Sequence, residues 1–187
     1  MLNFTRWIVA ASAVAALVYT TVPIVSVPDA SAEGAEADAP AGTCPAGAKK
    51  ANLNFTVSDM QGQKVNLSTF KGKVLVLDFW ATWCPPCKAE IPGFVELQKA
   101  YGDKGLQFVG VSVDSGDTPD VLKEFATTFR MNYPVLVGGD RDDLQDAYAP
   151  MYGIPTTFVI ARDGRICQKH SGLVGKDRYE SDIKGLL

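Results

Sequence analysis

Val74-Leu75-Val76-Leu77-Asp78-Phe79-Trp80-Ala81-Thr82-Trp83-Cys84-Pro85-Pro86-Cys87-Lys88-Ala89-Glu90-Ile91-Pro92 decides how the rest of the chain is read. Residues 74–80 are an apolar run broken by one acid, Asp78. The run is short and β-branched enough for a strand buried on both faces. Beyond the cysteines, Phe94, Leu97 and Tyr101 recur at helical spacing and Gly102 supplies a stop. Cys84 therefore stands where a buried strand gives way to a helix, the carboxyl end at which sites form in doubly wound sheets. At a helix N-cap its thiolate is stabilised by the positive end of the dipole. Cys87 follows one turn later, within reach of a disulfide. That spacing suits a thiolate that attacks a disulfide and a second thiol that resolves the mixed disulfide. The alternatives are a plain stabilising disulfide or half of a zinc knuckle. Zinc would need a second ligand pair, and only Cys44, Cys167 and His170 remain, widely scattered.

Outward from this stretch, residues 53–57 and 64–67 alternate polar and apolar around Gln61-Gly62, which predicts a β-hairpin. A second buried strand is predicted over 106–113. Thr118 reads as an N-cap and Pro119 as the first position of a helix whose stripe is Val121, Leu122, Phe125 and Phe129. A short strand at 134–137, a short helix at 142–148, strands at 156–161 and 165–169 around Arg162-Asp163-Gly164, and a closing helix over 176–187 complete the pattern. Strands alternating with helices predict an α/β fold with helices on both faces of the sheet. The length, 187 residues with 47% hydrophobic and 21% charged, fits one domain. A net charge of −3 argues against nucleic acid as a partner. The single histidine excludes a multi-histidine zinc site, and a Ser-His-Asp hydrolase unless His170 is its base.

Residues 7–28 carry no charge, with Arg6 before them and Asp29, Glu33, Glu36 and Asp38 after. This predicts export, through either an uncleaved membrane anchor or a signal peptide cut after Ala30-Ser31-Ala32. The expected division is 1–32 as signal-anchor or signal peptide, 33–51 as a flexible Ala/Gly/Pro-rich tether, and 52–187 as the folded domain. Outside the cytoplasm disulfides persist, so the spare cysteines, Cys44 and Cys167, are expected to pair rather than remain free thiols. His170 is expected at the surface. A metal pair with Cys167 is disfavoured, since positions i and i+3 of a strand face opposite ways.

The stretch around Cys84 and Cys87, with its W-C-x-x-C-x-x-E-x-P pattern, resembles the thioredoxin superfamily and within it the membrane-tethered ResA/TlpA-type thiol–disulfide oxidoreductases. Gly153-Ile154-Pro155-Thr156-Thr157-Phe158 is similar to the family's cis-proline loop. The resemblance implies a thioredoxin fold: a central mixed sheet flanked by helices, with an N-terminal β-hairpin and an inserted helix and strand. It casts Cys84 as nucleophile, Cys87 as resolving thiol and Pro155 as the cis-proline. Trp83 either covers the site or packs in the core. Asp78 matches the aspartate that helps deprotonate the buried thiol in thioredoxins, where ResA/TlpA relatives often carry a neutral residue. Glu90 matches the family glutamate near the site, the alternative being a solvated helix charge. By the same resemblance no cofactor is needed. The protein would reduce oxidised cysteine pairs of periplasmic proteins, in cytochrome c maturation or copper-oxidase assembly, drawing electrons from a membrane carrier and held at the inner membrane by its N-terminal helix. Two alternatives stand beside it. Gly110-Val111-Ser112-Val113-Asp114-Ser115 resembles peroxiredoxins, but their attacking cysteine has a threonine three residues before it and here that residue is Ala81. A copper-carrying module would usually add a histidine ligand, and the one histidine is poorly placed.

Overall fold

Apolar runs and turn residues divide the chain much as the sequence predicts. The computed structural model describes residues 40–187 except 117 and 118. The apolar segment 7–28, the Ala30-Ser31-Ala32 site and the Thr118 cap lie outside the described residues. In chain order the elements are β1 (Thr56–Ser58), β2 (Lys64–Asn66), β3 (Val74–Trp80), α1 (Pro85–Tyr101), β4 (Leu106–Ser112), α2 (Pro119–Thr128), β5 (Val135–Val137), α3 (Asp142–Ala147), β6 (Thr156–Ile160), β7 (Ile166–Ser171) and α4 (Lys176–Lys184). No helix among the described residues is long and apolar enough to cross a membrane.

β1 and β2 form the predicted hairpin as a separate antiparallel pair. The main sheet runs β5-β4-β3-β6-β7. β3, β4 and β5 are parallel, and β6 and β7 return antiparallel. β3 is central and every residue of it is buried, as its continuous apolar run requires. Alternation along it sorts the core. Leu75, Leu77 and Phe79 pack with Leu144, Tyr148 and Phe158 on one face. Val74 and Val76 pack with Phe94, Leu97, Tyr179 and Ile183 of α1 and α4 on the other, where Trp80 meets Ile91 and Leu122. Asp78 belongs by the same alternation to the face covered by α1 and α4.

The described part of the expected tether, residues 40–51, departs from expectation. Residues 40–51 lie against the domain instead of standing free of it. Ala51 N–H donates to the Gly164 carbonyl (2.9 Å) and Ile166 N–H to the Lys49 carbonyl (2.8 Å), covering the start of the edge strand β7. Gly42 sits at φ 73°, where a Cβ would come within 2.8 Å of Gly185 Cα, so only glycine fits this approach. The contacts are made by the segment's backbone groups, two of whose carbonyls accept from Gln168 Nε2, by Cys44, and by Ala51 against the core. An Ala/Gly/Pro-rich composition carries no side-chain pattern that announces them.

Candidate active site

Cys84 is the N-cap of α1, with extended backbone (φ −85°, ψ 109°), and its sulfur accepts the Cys87 N–H at 3.3 Å. Pro85 and Pro86 occupy the first two helical positions and have no N–H to give, so Cys87 is the first backbone donor of the helix. Cys84 and Cys87 are joined as a disulfide, with Cα atoms 5.3 Å apart. In this oxidised form each is 2% exposed, so an exposed nucleophile and a sheltered partner cannot be told apart by accessibility. What separates them is position. Cys84 Sγ lies 3.8 Å from the Ile154 carbonyl oxygen, and Cys87 is one turn inside the helix. The Ile154–Pro155 bond is cis, as the resemblance implies. This loop is held by Thr156 Oγ1 donating to the Gly153 carbonyl (2.6 Å) and by Gly172 N–H donating to the Pro155 carbonyl (2.8 Å). Trp83 is 67% exposed and so does not pack in the core. Leu173 and Tyr152, in the two loops so joined, are exposed as well.

The loop before Cys84 is pinned by Asp114, which accepts from Thr82 N–H (2.9 Å), Thr82 Oγ1 (3.1 Å) and Ser112 Oγ (2.8 Å). Ala81 is buried and the Thr82 hydroxyl is committed to Asp114, so neither residue offers Cys84 a threonine hydroxyl in the way a peroxidase needs.

Two carboxyl groups on the α1 side of the sheet, Asp78 and Glu90, are linked through hydroxyl groups. Asp78 is 4% exposed and is hydrogen-bonded through Oδ1 to Thr157 Oγ1 at 2.9 Å. Glu90 is 5% exposed, which removes the solvated-charge alternative; its Oε1 accepts from Val174 N–H (2.6 Å) and Tyr179 Oη (3.2 Å). Tyr179 Oη is also 3.1 Å from Thr157 Oγ1. Burial pushes Asp78 up to about 8; the charge of Glu90 adds to this and the Thr157 bond opposes it. Burial likewise raises Glu90 to about 7, against the two hydrogen bonds it accepts. Sequence reasoning found both acids but missed Thr157 and Tyr179. The available signal was a hydroxyl residue inside a buried strand, two positions after Pro155.

A family profile, the AhpC/TSA family, matches residues 48–169. The thiol–disulfide oxidoreductase ResA of Bacillus thuringiensis subsp. konkukian (strain 97-27) is 34% identical over 134 residues, covering 70% of this chain and 73% of that protein. ResA of Bacillus subtilis (strain 168) is 36% identical over 119 residues, 64% of each chain. Among solved structures, a thiol:disulfide interchange protein of the thioredoxin family from Chlorobium tepidum TLS superposes with a TM-score of 0.67 at 30% identity, covering 76% of this chain and 99% of that one. This chain belongs to the ResA/TlpA-type thiol–disulfide oxidoreductases of the thioredoxin superfamily. In this ResA/TlpA-type enzyme the second cysteine pair is also bonded: Cys44 and Cys167 form a disulfide spanning 123 residues. It lies away from the dithiol. Ser171 of β7 pairs with Thr156 beside the cis-proline, whereas Cys167 is next to Ile166, which pairs with Ile160 at the other end of β6. His170 is buried, not at the surface; its Nε2 is 2.8 Å from Asp182 Oδ2 of α4, a tertiary partner the local sequence does not reveal.

Proposed function

We propose that this oxidoreductase works as a reductase of disulfides in exported proteins, with Cys84 attacking and Cys87 resolving. The observation that carries the reading is the cap of α1. The sulfur of Cys84 stands at the helix N-terminus facing the cis-proline loop, and a single backbone N–H, that of Cys87, reaches it (3.3 Å). A thiolate there is favoured by the helix end but poorly supplied with donors, which suits a reductant more than a strong oxidant. In the first step Cys84 thiolate attacks a substrate disulfide. A Cys84–substrate S–S bond forms, the substrate's own S–S bond breaks, and its second sulfur leaves as a thiolate that takes up a proton. Cys87 then gives its proton to Asp78 and attacks Cys84 Sγ. The Cys84–Cys87 bond forms and the substrate departs with both electrons. The Ile154 backbone beside cis-Pro155 pairs with an extended substrate segment, and Glu90 shares the proton balance of Asp78.

The setting follows from the amino-terminal pattern. Uncharged residues 7–28 after Arg6 support a location in the bacterial periplasm, tethered to the inner membrane or released by cleavage after Ala32. The substrates are oxidised cysteine pairs of periplasmic proteins, with apocytochrome c and copper-site cysteines of oxidase assembly as the leading classes, and a membrane carrier returns the electrons. Trapping tests this. Cys87→Ser in cells should accumulate mixed disulfides through Cys84 with such proteins. Recovery of Cys84 without any protein adduct contradicts it.

A further inference from the structure

Asp78 Oδ1, Thr157 Oγ1, Tyr179 Oη and Glu90 Oε1 form an unbroken row of oxygens with gaps of 2.9, 3.1 and 3.2 Å. It runs through the buried face of the sheet, from β3 across β6 and α4 to α1. Three hydrogen bonds need three protons, and the two hydroxyls supply two. The third can come only from a carboxyl group at one end. With the proton on Asp78, Asp78 donates to Thr157, Thr157 to Tyr179 and Tyr179 to Glu90 carboxylate. With it on Glu90, every bond reverses and Asp78 is the carboxylate. The two arrangements interconvert by moving three protons one gap each, with no heavy atom displaced.

We propose that Thr157 and Tyr179 are positioning residues of a proton relay that holds one proton between Asp78 and Glu90 and moves it to Glu90 when Asp78 must act as a base. The proposal rests on the reading of Asp78 as the base for Cys87. It explains how a carboxyl protonated near neutral pH takes a proton from a thiol. Asp78 first passes its own proton along the row to Glu90 and then receives that of Cys87, while the Cys87 sulfur forms its bond to Cys84 and the substrate thiolate leaves. Glu90 afterwards gives up its proton to solvent near the Val174 loop. The two raised carboxyl groups fit a pair that keeps one proton through the neutral range: burial raises both, and the charge of Glu90 further disfavours that of Asp78. The Val174 N–H on Glu90 Oε1 favours carboxylate at that end and so leaves the resting proton on Asp78. Other titratable groups also face the row. Tyr133 is buried and senses both carboxylates. His170 of β7, bonded to Asp182 of α4, stands edge-on to the Tyr179 ring at 5.1 Å. Arg178 of α4 donates to Asp182.

The test is the rate at which Cys87 resolves a Cys84–glutathione mixed disulfide in the full chain, followed from about pH 5 to about pH 9. Thr157→Val and Tyr179→Phe should each slow resolution about tenfold near neutral pH and move its pH profile to the alkaline side, because Asp78 must then ionise on its own. Initial attack by Cys84 should stay within about twofold, and Thr157→Ser, which keeps the hydroxyl, should resolve within about twofold of the native rate. If both hydroxyl deletions resolve at the native rate while Asp78→Asn is slow, the relay is overturned and Asp78 as base stands. If Asp78→Asn also resolves at the native rate, both readings fall. Slower attack and resolution alike, with an unmoved profile, would mean altered packing and would also overturn the relay.

Discussion

Cys84 and Cys87 have the same accessibility, so the proposed division of labour between them depends on what surrounds each sulfur. Cys84→Ser should abolish disulfide reduction, whereas Cys87→Ser should still attack and then stall as a covalent complex. Alkylation with limiting reagent checks the order of reactivity: in the reduced protein Cys84 should be modified first, and prior modification of Cys87 contradicts the assignment. Asp78 makes a second prediction at this scale. Its native pKa, about 8, lies above the ordinary carboxylate value of 3.8, so the folded state holds a proton that the unfolded chain has lost. Its contribution to stability is complete below about pH 4 and is lost as pH rises through about 8. Asp78→Asn should therefore raise the melting temperature at pH 8, change it little near pH 4, and slow resolution more than attack. Thermal unfolding at the two pH values checks the first part; equal shifts at both would contradict it. Asp78 was legible in the sequence because an acid inside an apolar strand is costly unless protonated or bonded. Its partners were not, because Thr157 and Tyr179 reach it only through the pairing of β6 with β3 and the packing of α4.

At the scale of elements, the proposed role of the amino end of α1 is to set the redox balance. An N-cap acceptor ordinarily receives N–H groups from the second and third helical residues, and here the second is Pro86. Pro86→Ala returns that donor. One added hydrogen bond to a thiolate, on the order of 1.5 kcal/mol, corresponds to about 30 mV. The variant should be less reducing by roughly that amount; an unchanged or more negative potential would contradict the role given to the cap. Strands and helices were legible to within a few residues, since β3, β4 and the stripe of α2 carry their periodicity openly. His170 was misplaced for a reason that holds generally. A strand residue's exposure depends on which helix covers it, and Asp182 lies on α4, twelve residues further along the chain.

Across the whole molecule, the Cys44–Cys167 bond closes a separation of 123 residues and holds segment 40–51 on the edge of β7. Chain-entropy reasoning gives about 5 kcal/mol as the most it can contribute. Replacing both cysteines by serine should lower the melting temperature by about 10 °C or more, yet leave disulfide reduction within about twofold, because the bond is remote from the dithiol. Unfolding curves and a reductase assay on the same preparation check this; a large loss of activity at unchanged stability contradicts it. The pairing was legible from cysteine number and compartment, while the docking of the segment was not, since backbone hydrogen bonds leave no mark in composition. The central claim, a reductase built on a poorly donated N-cap thiolate, is tested most directly by the reduction potential of Cys84–Cys87. It can be measured by equilibrating the full chain with glutathione buffers at pH 7. A value near that of thioredoxin, about −270 mV, is expected, and a value above roughly −180 mV, the isomerase level, would contradict the reductase reading.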